Sequence, residues 1–345
     1  MQRNEVFSDW VHLSLGFAKN AKNIPENLQF QHESEIPFLP ISLFKTKKIS
    51  CYPNHEIHFT SSSTTGIGIS QHHIHHLKDY EQACLNGYDL FLKQLNEAKK
   101  ASFKPGLLDT IKVQNPNYDV IAALLPSYLD RSGSGLIYMV DQLIKVRAKE
   151  GGFYNLQFEQ LLLDLFKWKR ENKRVLLWGV TFGLLEFSQF VNKEFTKETT
   201  DPHTLISELF SQTDILETGG MKGRGPELTR NEVHKQLCEG FRKNDILSEY
   251  GMTELTSQAY SLGNGIFQCP PWMKILIQDP SDFRAFLPAN KTGRICVIDL
   301  MNYHSCSFIA TDDLGKTFPD GTFEISGRID HSDIRGCNQL VFPTI

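Results

Sequence analysis

Short apolar runs alternate with amphipathic segments through the first two thirds of the chain, and this alternation constrains the fold more than any other feature. Runs at residues 120–125 and 175–178 are typical of strands covered on both faces. Apolar residues at helical spacing predict helices at 77–95, 135–148 and 158–168. Strands that alternate with helices form a largely parallel sheet flanked by helices. The fold class is therefore α/β.

The pattern of residue types changes after about residue 262. Short β-branched and aromatic runs at 294–298, 307–310 and 322–325 predict strands, and Asp320-Gly321 is a hairpin turn signal. We therefore predict an α/β core over 1–261, a strand-rich subdomain over 262–326 and a C-terminal tail over 327–345.

Composition excludes several functional classes. The chain has 345 residues, 40% hydrophobic and 22% charged, with a formal net charge of -4, which gives no electrostatic case for binding nucleic acid or an anionic membrane surface. No integral membrane segment and no signal peptide is predicted. Seven cysteines without Cys-x-x-Cys spacing indicate reduced thiols. We expect a cytoplasmic protein.

The histidine-rich run at residues 72–76 suggests zinc, because positions four apart share a helix face. We reject this reading, since no cysteine or carboxylate stands beside the run at a ligand spacing. We expect the run to open the amphipathic helix that follows it.

The octapeptide at residues 248–255 groups side chains that suit a nucleotide and its metal. Tyr250 can stack on adenine, Gly251 allows close backbone approach, Thr253 offers an oxygen to a phosphate, and Glu254 is a hard oxygen ligand for Mg²⁺. The alternative is a strand end, a turn and a helix start capped by Thr253.

A second candidate element follows the β-leaning run at 57–60. Hydroxyl oxygens and clustered backbone N–H groups in such a loop can wrap phosphates without a P-loop, whose pattern is absent. The alternative is an ordinary solvated turn. The candidate phosphate loop consists of Ser61, Ser62, Ser63, Thr64, Thr65 and Gly66.

A glycine-rich loop runs from Thr218 to Pro226, after a predicted strand at 214–217. Thr229 and Glu232 form a capping box, so a helix is predicted to begin at Thr229. Loops at the carboxyl ends of parallel strands are where α/β proteins bind ligands, although a mobile surface loop is the alternative. The candidate ligand residues here are Gly219, Gly220, Met221, Lys222 and Arg224.

These motifs, in this order, resemble those of the adenylate-forming (ANL) superfamily. Two further segments, 311–315 and 327–330, resemble its Thr-Gly-Asp-Leu and Gly-Arg-x-Asp motifs. The resemblance implies ATP and Mg²⁺ as cofactors. It places adenine against Tyr250, Gly251, Met252 and the Gly219-Gly220 loop, and the phosphates in the 61–66 loop. It implies that Asp313 holds the ribose, that Arg328 reaches the nucleotide, and that Thr253 and Glu254 serve catalysis, with Glu254 binding the metal.

Within that superfamily the chain most resembles the acyl-protein synthetases of bacterial bioluminescence. The resemblance is carried by blocks at residues 59–62, 123–129, 217–224, 248–255 and 335–337. It implies activation of a fatty acid, transfer of the acyl group to a cysteine matching Cys337, and an acyl reductase as partner. Nine residues separate Arg328 from Cys337, an extended reach of up to roughly 30 Å, so a tail could carry the thiol into the site.

The sequence also departs from the superfamily pattern. The large C-terminal domain is expected to be absent, the usual lysine after the phosphate loop is missing, and Ser63 stands where glycine is common. Lys222, Arg224 or Arg328 would then meet the phosphate charge together with Mg²⁺. Two alternatives stay open: a carboxylate–CoA ligase resembling phenylacetate-CoA ligase, and a non-catalytic subunit that binds nucleotide.

Overall fold

The structure is a computed structural model that describes residues 36–61, 68–101, 117–125, 133–198, 201–219 and 228–329. Six helices are described: α1 (Leu77–Ala101), α2 (Gly135–Arg147), α3 (Phe158–Arg170), α4 (Thr181–Glu198), α5 (Pro202–Phe210) and α6 (Arg230–Phe241). Short 3₁₀ helices lie at Ile41–Lys45 and Leu300–Asn302. None of the described helices combines the length and hydrophobicity that a bilayer crossing requires.

The strands in the described residues form a 12-stranded sheet and a separate two-stranded hairpin. The strands are β1 (Leu39–Pro40), β2 (Ile57–Thr60), β3 (Gln71–Ile74), β4 (Val120–Leu124), β5 (Glu150–Phe153), β6 (Val175–Val180), β7 (Thr213–Thr218), β8 (Leu247–Tyr250), β9 (Ala259–Ser261), β10 (Ile266–Gln268), β11 (Met273–Gln278), β12 (Gly293–Asp299), β13 (Phe308–Thr317) and β14 (Phe323–Arg328). The large sheet runs β11-β12-β13-β14-β10-β9-β8-β7-β6-β4-β5, with β1 added beside β13, while β2 and β3 form the hairpin.

One half of the large sheet is parallel, as the alternation of strands and helices predicts. Strands β5, β4, β6, β7 and β8 are neighbours, and each adjacent pair is parallel. Every residue of β4 and β6 is buried. Strand β6 continues through Gly179 to Val180, two residues beyond the predicted run at 175–178.

Alternate residues of the parallel strands enter two different cores. Ile121 and Trp178 pack with residues of α1 and α2, whereas Ala122 and Leu177 pack with residues of α3, α4, α5 and α6. Side chains of successive strand residues point to opposite faces, so helices must cover both. The predicted α/β class, with helices on both faces, is confirmed.

The other half of the sheet is antiparallel and continuous with the first. Strand β9 pairs antiparallel with β8 and with β10, and β14 joins β10 to β13. The residues around Asp320 and Gly321 turn the chain between β13 and β14, as predicted, and Gly321 has a φ of 83° that favours glycine. The division into 1–261, 262–326 and 327–345 stays a prediction.

Contrary to the prediction, the histidine-rich run at residues 72–76 does not open the helix. Residues 71–74 form strand β3, and α1 begins at Leu77. His73 pairs with His58 across the hairpin, so its neighbours are on another strand rather than one helical turn away. Local spacing does not reveal this pairing. Among the described residues, no group of three His, Cys, Asp or Glu side chains is arranged to hold a metal ion.

Helix α6 begins as the capping box predicts. The Thr229 hydroxyl accepts from the backbone N–H of Glu232, and the Glu232 carboxylate accepts from the backbone N–H of Thr229 at 2.7 Å. The helix then buries Val233, Leu237 and Phe241. Its first residue, Arg230, forms an ion pair with Glu217 near the carboxyl end of β7, so the helix begins beside that strand end.

Candidate active site

The carboxyl ends of the parallel strands carry polar side chains at one edge of the sheet. Strand β6 ends before Thr181, β7 ends at Thr218 and β8 ends at Tyr250. The Thr181 hydroxyl lies 3.4 Å from the carbonyl oxygen of Gly219, the last described residue before the predicted adenine loop. Ligands of open α/β sheets bind at this edge.

The stem of the predicted phosphate loop is closed by two hydrogen bonds. The backbone N–H of Ser61 donates to the carbonyl of Ser70 at 3.1 Å. The backbone N–H of Ser70 donates to the Ser61 hydroxyl at 3.0 Å. The two ends of the predicted loop, at Ser61 and Ser70, are therefore bonded to each other at the hairpin of β2 and β3. Ser62, Ser63, Thr64, Thr65 and Gly66 lie outside the described residues, and their phosphate role stays a prediction.

Glu254 lies against this stem. Burial raises the pKa of its carboxyl group, whereas a hydrogen bond from Ser70 and the charges of Arg328 and Lys45 act in the opposite direction. The predicted metal ligand and the base of the predicted phosphate loop are therefore neighbours, although Ser70 and Glu254 lie far apart along the chain. No sequence spacing predicts that proximity.

Residues 251–258 form a turn between β8 and β9, so the helix start considered as an alternative is wrong. The buried Asp299 carboxylate accepts from the backbone N–H groups of Thr256, at 2.9 Å, and Ser257, at 2.8 Å. The Asn302 amide donates to the carbonyl of Glu254 at 2.8 Å. Because β9 pairs antiparallel with β8, the chain must reverse here, and Thr253 caps no helix.

Tyr250, Asp313 and Arg328 form a connected row. The Tyr250 hydroxyl donates to Asp313 at 2.8 Å, and Nε of Arg328 lies 3.2 Å from the other carboxylate oxygen. Asp313 and Arg328 are cross-strand partners on β13 and β14. Burial raises the pKa of Asp313, whereas Arg328 and Tyr250 lower it. Residues predicted to hold adenine and ribose are thus bonded to each other, and the Arg328 side chain is 77% exposed.

The Tyr250 ring is buried among aromatic side chains. It packs edge-on against Phe267 and Phe323, with ring centroids 6.0 and 5.7 Å away. Met252 is partly buried against the same core. Stacking of Tyr250 on adenine stays a prediction.

A second buried cluster lies at the carboxyl ends of β7 and β8, and the sequence motifs did not predict it. Glu217, at the end of β7, receives hydrogen bonds from Arg230 and from Thr181, the latter at 3.1 Å. His234 lies 3.4 Å from the same carboxylate and 3.1 Å from the Ser248 hydroxyl. Burial raises the pKa of Glu217, but His234 and Arg230 outweigh it, so the net shift is downward.

Glu249, beside Glu217, has the opposite pKa shift. Burial, with the nearby charge of Glu217, raises the pKa of Glu249 to about 7, although Thr218 donates a hydrogen bond to its carboxylate. A Cβ atom at Gly251 would overlap Oε1 of Glu249. A side chain at this position would therefore displace the buried Glu249 carboxylate. The sequence signals for this cluster were the glutamate beside Tyr250 and the glutamate next to the end of β7.

The structure therefore brings together Ser61, Tyr250, Gly251, Thr253, Glu254, Asp313 and Arg328, which motifs scattered over the chain predicted. Gly219 borders the same edge. Gly220, Met221, Lys222, Arg224 and Cys337 lie outside the described residues, and their roles stay predictions.

The donor set fits the groups that the motifs imply. Glu254 and the Ser70 hydroxyl are hard oxygens of the kind that Mg²⁺ prefers. Mg²⁺ usually takes one or two carboxylates, water and substrate phosphates, so a single glutamate beside a phosphate loop suffices. Asp313 and Arg328 offer an acceptor for ribose hydroxyls and a cation for phosphate.

The fold is that of the N-terminal part of adenylate-forming enzymes. The chain superposes on 2-hydroxyisobutyryl-CoA ligase in the postadenylation state with a TM-score of 0.61, at 13% identity, covering 95% of this chain and 68% of that one. An ATP-bound RpMatB-BxBclM chimera gives a TM-score of 0.51 at 17% identity. The superposed part is 79% of this chain and 47% of the chimera, so this chain spans about half the length of that protein.

The resemblance to the acyl-protein synthetases of bacterial bioluminescence is also confirmed. The chain is 21% identical over 319 residues to the long-chain-fatty-acid–luciferin-component ligase of Aliivibrio fischeri, covering 88% of this chain and 77% of that protein. No protein-family model matches the chain.

Proposed function

We propose that this protein is a ligase that activates a carboxylic acid with ATP and passes the acyl group to a thiol. The observation that carries the proposal is that the hairpin bearing the hydroxyl-rich loop bonds to the Thr253-Glu254 turn, with Nδ1 of His72 2.8 Å from the carbonyl oxygen of Thr253. It joins a candidate phosphate site to a candidate metal ligand within the fold of adenylate-forming enzymes.

In the first half-reaction, an oxygen of the carboxylate attacks the α-phosphorus of ATP. The bond from that phosphorus to the bridging oxygen breaks, and pyrophosphate leaves with the electron pair. The products are an acyl adenylate and pyrophosphate. Catalysis of such a step is mostly positioning and neutralisation of charge.

Each group of the chain has a defined task in this step. The 61–66 loop would hold the phosphates, and Asp313 the ribose. The Arg328 guanidinium, mostly exposed, can turn from Asp313 toward phosphate. Mg²⁺ bound at Glu254 would neutralise phosphate charge. Thr253 would offer its hydroxyl to the phosphates.

In the second half-reaction, a thiolate sulfur attacks the acyl carbonyl carbon, and AMP leaves. We propose Cys337 as the first acceptor, by resemblance to the family. The fully buried Cys84 and Cys296 are less suited to this role, because burial raises their pKa, that of Cys296 to about 12. Such thiols are poor nucleophiles at neutral pH.

The proposed acid is a medium-to-long fatty acid, and the proposed final partner is an acyl reductase in the cytoplasm. The fatty acid follows from the similarity to the Aliivibrio fischeri ligase, whose name gives its substrate class, and the acyl reductase follows from the family resemblance of the sequence motifs. The abundance of phenylalanine, 24 residues, is consistent with an apolar acyl site.

The deciding experiment is ATP–pyrophosphate exchange dependent on added carboxylate, across acids from acetate to palmitate. We expect exchange with the longer fatty acids. Exchange with none of the acids, while ATP still binds, would favour the non-catalytic binding subunit.

The acceptor is tested by Cys337→Ser with Cys238→Ser, a half-buried thiol, as the matched control. Adenylation uses no atom of the acceptor, so both variants should keep exchange. Label from fatty acid and ATP should form a hydroxylamine-sensitive thioester on wild type and on the control, but not on Cys337→Ser. Thioester persisting in Cys337→Ser would remove this cysteine from the mechanism. Transfer to coenzyme A by that variant would favour a CoA ligase.

A further inference from the structure

His72 connects the phosphate-loop hairpin to the Thr253-Glu254 segment. It lies on β3 two residues after Ser70, is fully buried, and packs edge-on against Phe44 with ring centroids 6.0 Å apart. Its Nδ1 lies 2.8 Å from the carbonyl oxygen of Thr253. A carbonyl oxygen only accepts, so Nδ1 carries the proton in this contact.

The second ring nitrogen reaches the same segment by another route. Nε2 of His72 lies 2.9 Å from the side-chain oxygen of Asn302. The Asn302 amide nitrogen donates to the carbonyl of Glu254, and the Thr256 hydroxyl donates to the Asn302 side-chain oxygen at 3.2 Å. The ring therefore holds Thr253 directly. Asn302 holds Glu254, and its side-chain oxygen faces the ring without receiving a proton from it, because the neutral ring carries its proton on Nδ1.

The Glu254 side chain lies near the same hairpin, where a hydrogen bond from Ser70 opposes the effect of burial on the pKa of its carboxyl group. The hairpin of β2 and β3 therefore adjoins the predicted metal ligand and bonds directly to the preceding residue, Thr253, through His72. Without His72, the turn keeps the hydrogen bonds from Asn302 to Glu254 and from Thr256 and Ser257 to Asp299, but it loses its direct bond to β3.

We propose that His72 is a positioning residue that fixes the turn carrying Thr253 and Glu254, the predicted metal ligand, against the hairpin of β2 and β3. The proposal rests on the proposed function. It assigns no proton transfer to His72 and no contact with substrate. A misplacement of about 1 Å at a catalytic group costs about a hundredfold in rate, so this link is expected to control turnover.

The test compares three variants. His72→Phe keeps the ring and removes both polar contacts. His72→Asn places an amide N–H near the position of Nδ1 and so restores the bond to Thr253. Phe44→Leu loosens the packing on the same ring while leaving its hydrogen bonds in place, and controls for general destabilisation.

The readout is ATP–pyrophosphate exchange at a temperature where all variants are folded, with kcat, KM for the acid and the Mg²⁺ concentration for half-maximal rate. We expect His72→Phe to lower kcat about tenfold or more and to raise the Mg²⁺ requirement, with the KM for the acid unchanged. His72→Asn should recover most of kcat, and Phe44→Leu should show wild-type Mg²⁺ dependence. Unchanged values in His72→Phe, the same change in Phe44→Leu, or no recovery in His72→Asn would overturn the proposal.

Hydrogen–deuterium exchange separates this proposal from the proposed function. If the wild type shows no pyrophosphate exchange, the proposed function fails, but the positioning role is still measurable. Amides of residues 253–257 should lose protection in His72→Phe and keep it in Phe44→Leu. Equal protection in the two variants would overturn the positioning role.

Discussion

Glu249 makes the stability of this protein depend on pH in an unusual direction. Its carboxyl group is buried at the end of β8 close to the charged Glu217, and these surroundings raise its pKa from 4.5 to about 7. Between these values the folded protein keeps a proton that the unfolded chain has lost. The free energy of unfolding therefore falls as pH rises through this window, and the full penalty is present above pH 7.

The size of the penalty follows from the shift. The difference between 4.5 and about 7, at about 1.36 kcal/mol for each pKa unit, amounts to about 3 kcal/mol. Glu249→Gln keeps the size and the acceptor for the Thr218 hydroxyl but carries no charge at any pH. The stability of this variant relative to wild type should therefore rise by about 2–3 kcal/mol between pH 5 and pH 8.

Urea unfolding followed by circular dichroism at pH 5, 6, 7 and 8 measures this difference. A pH-independent offset from repacking the amide does not affect it, because only the change with pH is used. Glu239→Gln, on the exposed side of α6, controls for the loss of one negative charge. A difference between Glu249→Gln and wild type that stays constant from pH 5 to pH 8 would refute the reasoning.

Three further substitutions test the site. Glu254→Gln should lower pyrophosphate exchange at least about a hundredfold while circular dichroism shows an intact fold, and near-normal exchange would show that Glu254 binds no metal. Tyr250→Phe loses the hydrogen bond to Asp313, so the KM for ATP should rise about fivefold, equivalent to about 1 kcal/mol; an unchanged KM would separate this pair from nucleotide binding. Gly251→Ala should lower the free energy of unfolding by about 1–3 kcal/mol, because its Cβ overlaps Glu249; equal denaturation midpoints would contradict that overlap.

Elements governed by local chemistry were predictable. The capping box fixed the start of α6 at Thr229, and Asp320-Gly321 fixed the turn between β13 and β14. These signals act through hydrogen bonds and dihedral angles within a few residues, so a single sequence contains them. The prediction that the histidine run opens a helix was wrong for the opposite reason. These residues form a strand because they pair with β2, and that pairing is not a local signal.

The candidate site was likewise predictable only where its signals are local. Tyr250, Glu254, Asp313 and Arg328 were recognised as motifs, because each motif is a short local pattern. The contacts among these residues connect β8 and the turn that follows β8 with β13 and β14. No spacing along the chain predicts these contacts.

The sequence by itself determined the α/β class, the order of its main helices and strands, and the residue types offered to a nucleotide. Hydrophobic periodicity and helix-capping patterns are properties of residues close together in the chain, so they can be identified without the tertiary structure. Only the tertiary structure decided that Ser70 meets Glu254, that His72 holds Thr253, and that two glutamates at adjacent strand ends have opposite pKa shifts. Burial and charge pairing arise from distant parts of the chain, and they exist only once the sheet has formed.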